Sequence, residues 1–555
     1  MTAESLGGRA RSLLAIMLVS ALVGCGPGAA NEGPAPDAGS DAGLLDAGSD
    51  AGLPDAGSDA GLPDAGSDAG LPDAGSDAGP ADAGQPVGAP PSQLPFSYSR
   101  PDVGTPLTPA ELAAATDDLI ALLRDTRYFD VVDERVHGWP RTDPAGGYWY
   151  GTWWSGVSVE KRGGQVTYRH SSDGADNNGQ RTGPFLEGAC WAHLLWARPP
   201  AASLVRRMVR GFTSWSLAME RTAADPGPSM LARASYLPAV DSTEGGRALR
   251  IDTSADLPGV DNAATVYVHL PANPTFGDLW IKNQRSKDDL GEMMRALVQV
   301  QACAPRLDAE AQGDIEEMLA RYRAFALQVD ADAWGIRTRA KDGSDYMPPL
   351  LTESLAHYVP QVECPGVLAI RLLGQGAPGS VSCGSGFASS DELAITKASN
   401  DVNQILRAHH QAAVLLALWR GQDAVALDLL HGLAARLEAD LAWAELSPGA
   451  ANVVPSDLGA LIAHAATVGV PLTSREVRWL HARLRLASAG YRAPALAPAY
   501  HVFDAATPDG NYPFEPAADG LFFGEIGGLL GICASPWRNP QGRPVFDCAR
   551  LAAAF

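Results

Sequence analysis

From Asp37 to Gly84 the chain repeats the nonapeptide Asp-Ala-Gly-Ser-Asp-Ala-Gly-Leu-Pro with small variations. A stretch with so little apolar mass cannot offset the entropy of ordering itself. Residues 26–94 also hold eleven Asp and Glu32 without a single Lys or Arg, so they repel one another and extend. This segment is expected to be a disordered tether, and folding is confined to residues 95–555. The regular Asp spacing lacks the Gly-rich ligand geometry of calcium-binding repeats, which favours a linker over an ion site. The formal charge of the 555 residues is -22, and the twelve acidic groups of the tether supply more than half of it. With no Lys/Arg-rich run anywhere, a nucleic-acid partner is not expected, because phosphate binding needs clustered cations.

Ahead of the tether, residues 1–25 carry Arg9 and Arg11, then the apolar run Leu13-Leu14-Ala15-Ile16-Met17-Leu18-Val19, then small residues before a cysteine. That order reads as a secretory signal, and the run is too short to span a bilayer. Leu22-Val23-Gly24-Cys25 resembles the lipobox of bacterial lipoproteins. The resemblance implies that Cys25 is diacylated on sulfur, becomes the first residue after cleavage, and anchors the protein to a membrane without spanning it. Gly26 after the cysteine implies, by the sorting habit of that family, outer-membrane or surface display. Besides Cys25 the chain has six cysteines, Cys190, Cys303, Cys364, Cys383, Cys533 and Cys548, an even number suited to an oxidising compartment. Proximity in sequence favours Cys364–Cys383 and Cys533–Cys548, leaving Cys190–Cys303 as a long closure; buried free thiols are the alternative.

Within 95–555 the dominant pattern is helical. Thr108-Pro109 opens a helix with Pro at its first position and Leu112, Leu119, Ile120, Leu122 and Leu123 on one face. Residues 127–182 differ, being aromatic and Gly-rich, and Val157-Ser158-Val159 and Val166-Thr167-Tyr168 flank Lys161-Arg162-Gly163-Gly164 as a hairpin. After Pro184 helices are expected near 185–197, 201–222, 287–303, 308–328, 400–419, 421–441, 456–467, 473–488 and 520–532, with loop-rich insertions at 223–285 and 335–399. Paired helices with insertions suggest a mainly α fold, an (α/α) toroid-like array with a small hairpin/aromatic insertion near its start. Ser286-Lys287-Asp288-Asp289-Leu290-Gly291, Asn400-Asp401-Val402-Asn403 and Asn511-Tyr512-Pro513-Phe514 together resemble (α/α)-toroid glycan-degrading enzymes over about residues 185–535.

Common catalytic motifs are absent: there is no HExxH, no GxSxG and no Walker lysine loop. Gly374-Gln375-Gly376-Ala377-Pro378-Gly379 matches GxGxxG in letters, but Pro378 and a Ser-rich loop replace the helix a dinucleotide needs. The aromatic run Tyr148-Trp149-Tyr150-Gly151-Thr152-Trp153-Trp154 suits stacking on sugar rings. Strand alternation separates Trp149 and Trp153 from Tyr150 and Trp154, so one set would bind while the other packs in a core.

Asp288 and Glu292 stand one helical turn apart on a polar stripe that continues to Arg295 and Gln299. Two like carboxylates at that spacing raise a pKa toward that of a general acid, with Arg285 or Arg295 offsetting the effect. Asp289 reads as part of a capping box with Ser286. On the helix from Asn400, Asn403, Arg407 and His410 share a side, while His409 lies on the apolar stripe as a core histidine. Glu353 pairs with His357 near Tyr346 and Tyr358. Glu525 sits in Phe522-Phe523-Gly524-Glu525-Ile526-Gly527, an apolar setting that demands a partner or a raised pKa. Asp173, Asp176 and Asn178 form a loop rich in hard oxygen ligands that suits calcium, although Asx/Gly loops are also ordinary turns.

These features lead to the expectation of a surface lipoprotein acting on an extracellular glycan. For hydrolysis, carboxylates among Asp288, Glu292, Glu353 and Glu525 would protonate the leaving oxygen and activate water. For elimination, His410 or Tyr358 would be the base, with Arg407 and Asn403 neutralising a uronate. The alternative is a non-catalytic glycan- or protein-binding lipoprotein with the aromatic run as its contact surface.

Overall fold

The computed structural model describes residues 91–137, 152–153, 157–170, 178–220, 231–232, 234–236, 240–244, 247–252, 267–282, 287–332, 337–339, 345–346, 364–376, 400–446, 454–491, 506–512 and 523–555. All of them belong to one compact unit, Gly79–Phe555. The signal segment, the repeat and Cys25 lie outside the described residues.

Thr108 caps helix α1 (Pro109–Asp125): its hydroxyl accepts from the Glu111 amide while the Glu111 carboxylate accepts from the Thr108 amide, and Pro109 fills the first position. Helix α2 (Tyr128–Arg135) follows through Arg127, which is held at φ 50°. Strand β1 (Val136–His137) pairs with β2 (Thr152–Trp153). The hairpin forms as expected, with β3 (Val157–Arg162) antiparallel to β4 (Gln165–His170) in register. Gly163 and Gly164 turn it at φ 54° and 84°, the two consecutive positive angles that a two-residue turn matched to strand twist requires.

Helix α3 (Asn178–Trp196) starts before Pro184, about two turns earlier than expected. Gly179 and Gly183 explain the longer contact. A Cβ at either position would meet Asp289 or Glu292 at 3.0–3.3 Å, so only glycine lets the first turns lie so near their neighbour. Helix α4 (Pro199–Leu217) packs back on α3. The segment expected to be loop-rich between 223 and 285 instead carries β5 (Ala234–Tyr236), β6 (Val240–Glu244), β7 (Arg247–Asp252), β8 (Tyr267–Asn273) and β9 (Gly277–Lys282). β7 lies parallel to β4 and antiparallel to β6, while β5, β9 and β8 form a separate three-stranded sheet.

The remaining helices are α5 (Lys287–Val300), α6 (Ala309–Ala331), α7 (Cys364–Gly374), α8 (Asn400–Trp419), α9 (Asp423–Leu446), α10 (Val454–Thr467), α11 (Ser474–Tyr491), α12 (Phe523–Gly528), α13 (Gly531–Ala534) and α14 (Cys548–Ala552). Two short strands, β10 (Thr338–Arg339) and β11 (Asp345–Tyr346), pair with each other, and β12 (Gly510–Tyr512) adds to the edge of the hairpin sheet beside β3. Helix α7 corrects the second expected insertion, and the Gly-rich letters after it close a helix instead of opening one, with Gly376 at φ 82°.

The described fold is therefore mainly helical. Its packing has a recurrent order: α3 lies on α5, α5 on α8, α8 on α10, α10 on α13, and α13 returns to α3, with α12 also against α3. Helices α4, α6, α9 and α11 pack behind α3, α7, α8 and α10 respectively, in the pattern α4 on α3, α6 on α7, α9 on α8 and α11 on α10. The two-sided environment explains why α5 and α8 bury residues around their whole circumference. Two disulfides lock this arrangement: Cys190–Cys303 joins α3 to the segment after α5, and Cys533–Cys548 joins α13 to α14. The Cys364 side chain and Cys383 lie outside the described residues. Among the described residues, no helix is long and apolar enough to cross a membrane.

Candidate functional site: a buried carboxylate, arginine and histidine cluster

The polar stripe of α5 does not face water. Asp289, Glu292, Arg295 and Gln299 are all buried, with Glu292, Arg295 and Gln299 at 0% exposure. Burying an arginine so completely is unfavourable unless its charge is matched, and carboxylates from three helices do this. Glu292 Oε2 stands 2.6 Å from Arg295 Nη2. Glu187 Oε2, from the middle of α3, stands 3.3 Å from Nη1, and Glu525 Oε2, from the first turn of α12, stands 4.0 Å from the same nitrogen.

His464 on α10 completes the cluster. Its Nε2 lies 3.3 Å from Glu187 Oε2 and 3.3 Å from Glu525 Oε2, and Arg295 Nη1 contacts the same ring. The second oxygen of Glu187 accepts from the Trp191 indole N–H at 3.0 Å and from the Gln299 amide at 2.9 Å. Helix α12 can approach this closely because Gly524, Gly527 and Gly528 carry no side chain. Gly528 faces Glu187 and His464, and Gly527 faces Gly188 and the Tyr128 hydroxyl.

The electrostatics follow from burial and neighbours. Burial alone would raise the Glu187 pKa, but the charges of His464 and Arg295 outweigh it and bring it down to about 2. Burial pushes the Tyr128 phenol well above its usual value, and the charges of Glu525 and Glu187 push it the same way, so it stays a neutral donor; its hydroxyl donates to the Gly524 carbonyl at 3.3 Å. The Arg295 guanidinium is held in its charged form by Glu292, Glu187 and Glu525 against the penalty of burial. Three carboxyls thus share one permanent cation and one imidazole, an arrangement able to store, orient and transfer a proton.

Of the residues nominated from sequence, the structure brings Glu292 and Glu525 together, although 233 positions separate them in the chain. His410 is buried elsewhere: its Nε2–H donates to the Leu429 carbonyl on α9 at 2.8 Å, and burial lowers its pKa to about 4. His409 points along another face of α8, where Gly291 and Gly366 come close to its ring, and it is buried as the apolar stripe suggested. Asp289, expected to cap α5, is buried against Gly179. The side chains of Asp288, Asn403, Arg407, Trp153 and Asn178 lie outside the described residues, as do Glu353, Tyr358, Trp149, Tyr150, Trp154, Arg285, Asp173 and Asp176. Among the described residues, no group of three or more His, Cys, Asp or Glu is arranged to hold a metal ion.

Two members escaped sequence reading, Glu187 and His464. The signal was the one that marked Glu525: each is the lone ionisable group in an apolar, Gly/Ala-rich helical turn, Phe185-Leu186-Glu187-Gly188-Ala189 and Leu461-Ile462-Ala463-His464-Ala465-Ala466. No protein-family model, curated protein or solved structure matches this chain.

Proposed function

We propose that this chain is a lipoprotein anchored through Cys25, displayed at the outer membrane or cell surface on its Asp-Ala-Gly tether, with an (α/α) toroid-like domain that acts on an extracellular glycan. The cyclic order of helix contacts, α3 to α5 to α8 to α10 to α13 and back to α3, supports the toroid-like arrangement. The observation that carries the activity is the meeting of Glu292 and Glu525 on the two terminal nitrogens of Arg295. Paired carboxyls in unequal environments are what acid-base hydrolysis of a glycosidic bond needs, one as acid and one as base or nucleophile. Hydrolysis is favoured over elimination because His410 is buried against Leu429 of α9, outside the carboxylate cluster.

The test is incubation of the purified protein with a panel of neutral and acidic glycans, followed by product analysis. Wild type should release product, and Glu292→Gln and Glu525→Gln should each lose at least ~100-fold in rate. A second reading, non-catalytic binding of a glycan or protein, is favoured by the near-complete burial of the cluster, which can hold helices together with no substrate present. Glycan or protein binding without product would move that reading to the front.

A further inference from the structure

The indole of Trp191 stands between the buried cluster and the segment by which the chain enters the domain. Trp191 lies one turn beyond Glu187 on α3, and its N–H donates to Glu187 Oε1 at 3.0 Å. The Gln299 amide of α5 donates to the same oxygen at 2.9 Å, so donors from two helices hold Oε1 and leave Oε2 to Arg295 and His464. One helical turn brings Trp191 and Glu187 together but does not by itself choose the orientation of the indole. Its other neighbours do. A Cβ on Gly531 of α13 would lie 2.7 Å from Trp191 Nε1, so α13 closes directly over the donor atom. The ring of Trp537 meets Trp191 edge to face, with centroids 6.3 Å apart and planes at 79°. Trp537 is buried and fixed in turn: its indole N–H donates to the Pro91 carbonyl at 3.0 Å, and its backbone N–H donates to the Ser535 hydroxyl at 3.1 Å, which itself donates to the Thr467 carbonyl at the end of α10. Two residues on, Asn539 donates to the Tyr98 carbonyl and ties the entering segment down again.

We propose that Trp191 is a positioning residue of the cluster: its indole N–H, held in place by Gly531 and Trp537, fixes the Glu187 carboxyl so that Oε2 meets Arg295 and His464. Glu187 is faced by Arg295 of α5, which also carries Glu292, by His464 of α10, by Glu525 of α12 and by the Tyr128 phenol of α2. Arg295 and His464 both reach it through Oε2, each at 3.3 Å. Turning the carboxyl would carry Oε2 away from both and strip two buried N–H groups of their acceptor, which costs the desolvation of each. The donors on Oε1 therefore govern how well the ion pairs on Oε2 form. Trp191 constrains more than Gln299 does, because an indole has fewer rotatable bonds than a glutamine side chain and this one is packed on two sides. The consequence for catalysis rests on the hydrolytic reading above. Glu187 and Glu525 face the same His464 nitrogen and the same guanidinium nitrogen, so Trp191 acts on the reacting carboxyls through Glu187.

The test is the acid side of the stability profile of the full chain, measured by chemical denaturation. Glu187 contributes fully above about pH 4.5 and loses its contribution as pH falls toward about 2, and Glu187→Gln removes that loss. Trp191→Phe keeps an aromatic ring beside Trp537 and deletes the N–H. Glu187 should then take up its proton ~1 pH unit higher, because a bond to the charged form is gone. The Glu187-dependent part of the loss between pH 4.5 and pH 2 should accordingly shrink by about a third or more. In a Glu187→Gln background, Trp191→Phe should leave the slope unchanged. A Trp191→Phe profile parallel to wild type, lower at every pH, is what packing alone would give and overturns the proposal. Equal flattening in the Glu187→Gln background overturns it too. If Trp191→Phe does not fold, benzothienylalanine at position 191, which keeps the bicyclic ring and lacks the N–H, decides by the same comparison. No substrate is needed, so a profile flattened as expected in a protein that cleaves no glycan leaves the role of Trp191 standing and removes the hydrolytic reading.

Discussion

Gly527 of α12 faces Gly188 of α3 so closely that a Cβ on Gly188 would lie 2.8 Å from the Gly527 Cα, and a Cβ on Gly527 would lie 2.7 Å from the Gly188 Cα. The same added atom on Gly527 would strike the Tyr128 hydroxyl. This contact sets how near α12 comes to α3, and so whether Glu525 reaches His464. Gly527→Ala should therefore cost at least ~1–3 kcal/mol through overpacking. It should also weaken the coupling between Glu525 and Glu187. Gly313 of α6, where an added Cβ meets nothing within 4 Å, is the control: Gly313→Ala should stabilise by ~0.5–1 kcal/mol. Urea denaturation of both variants checks the contrast, and equal effects would remove the packing explanation.

The buried ion cluster makes the fold acid-sensitive in a definable window. Glu187 has a pKa of about 2 in the native state against 4.5 in a free chain, so the unfolded chain takes up its proton first. Its contribution is complete above about pH 4.5 and is lost as pH falls toward about 2, a change on the order of a few kcal/mol. Glu187→Gln should flatten that part of the stability profile. Arg295→Met should cost ~3–5 kcal/mol at neutral pH because it leaves carboxylates buried without their cation. Chemical denaturation of the three proteins between pH 2 and pH 7 measures both effects, and parallel profiles for wild type and Glu187→Gln would contradict the account.

How much of this was readable in advance depended on whether the signal was local. Thr108 and Glu111 lie three residues apart and form their capping box where they stand. Gly163-Gly164 forces the hairpin turn by backbone conformation alone. The spans of α8 and α10 follow from periodicity in the same way. Strand β7 does not: it pairs parallel with β4 across some eighty residues, and no neighbouring residue announces such a partner. Helix α7 was hidden by Cys364-Pro365-Gly366, which reads as a turn, yet Val367, Leu368, Ala369, Ile370, Leu372 and Leu373 are buried, α7 packs against α6 and α8, and tertiary packing decides the matter. Within the cluster, Glu292 was visible because a polar stripe marked it, and Glu525 because its surroundings were apolar. That the two would meet on Arg295 was not legible, since the meeting is a product of helix order and of glycines on α3 and α12.

The two disulfides should differ in energetic weight and in accessibility. Cys190–Cys303 spans 113 positions and both residues are at 0% exposure, whereas Cys533–Cys548 spans 15 and its Cys548 is partly exposed. Closing the longer loop restricts the unfolded chain more, roughly 4.7 kcal/mol against 3 kcal/mol in the chain-entropy account. Replacing both Cys190 and Cys303 by Ala should thus lower stability more than replacing Cys533 and Cys548. Mild reductant on the native protein should open Cys533–Cys548 first. Peptide mapping after timed alkylation reads the order, and early labelling of Cys190 or Cys303 would show that α3 and α5 separate more readily than their packing indicates.

Adjacent histidines on α8 provide a sharper contrast, because burial lowers the pKa of both to about 4 while only one has its ring satisfied. His410 donates to the Leu429 carbonyl; among the described residues, neither ring nitrogen of His409 has a hydrogen-bond partner. An unpartnered buried polar atom carries its desolvation penalty without return, so a shape-compatible apolar replacement recovers it. His409→Leu should be neutral or stabilising at pH 7, whereas His410→Leu should destabilise by ~1–3 kcal/mol through the lost bond and the cavity. The pH dependence has a definite sign. The unfolded chain binds these protons near 6.5 and the native state only near 4, so stability is complete above about 6.5 and declines as pH falls toward 4. His409→Leu should remove part of that decline while leaving the lower, carboxylate-driven loss below pH 4.5 in place. Denaturation curves at pH 7, 5.5 and 4 separate the two contributions, and an unchanged difference between pH 7 and pH 4 in His409→Leu would mean that this imidazole already shares its charge with a partner.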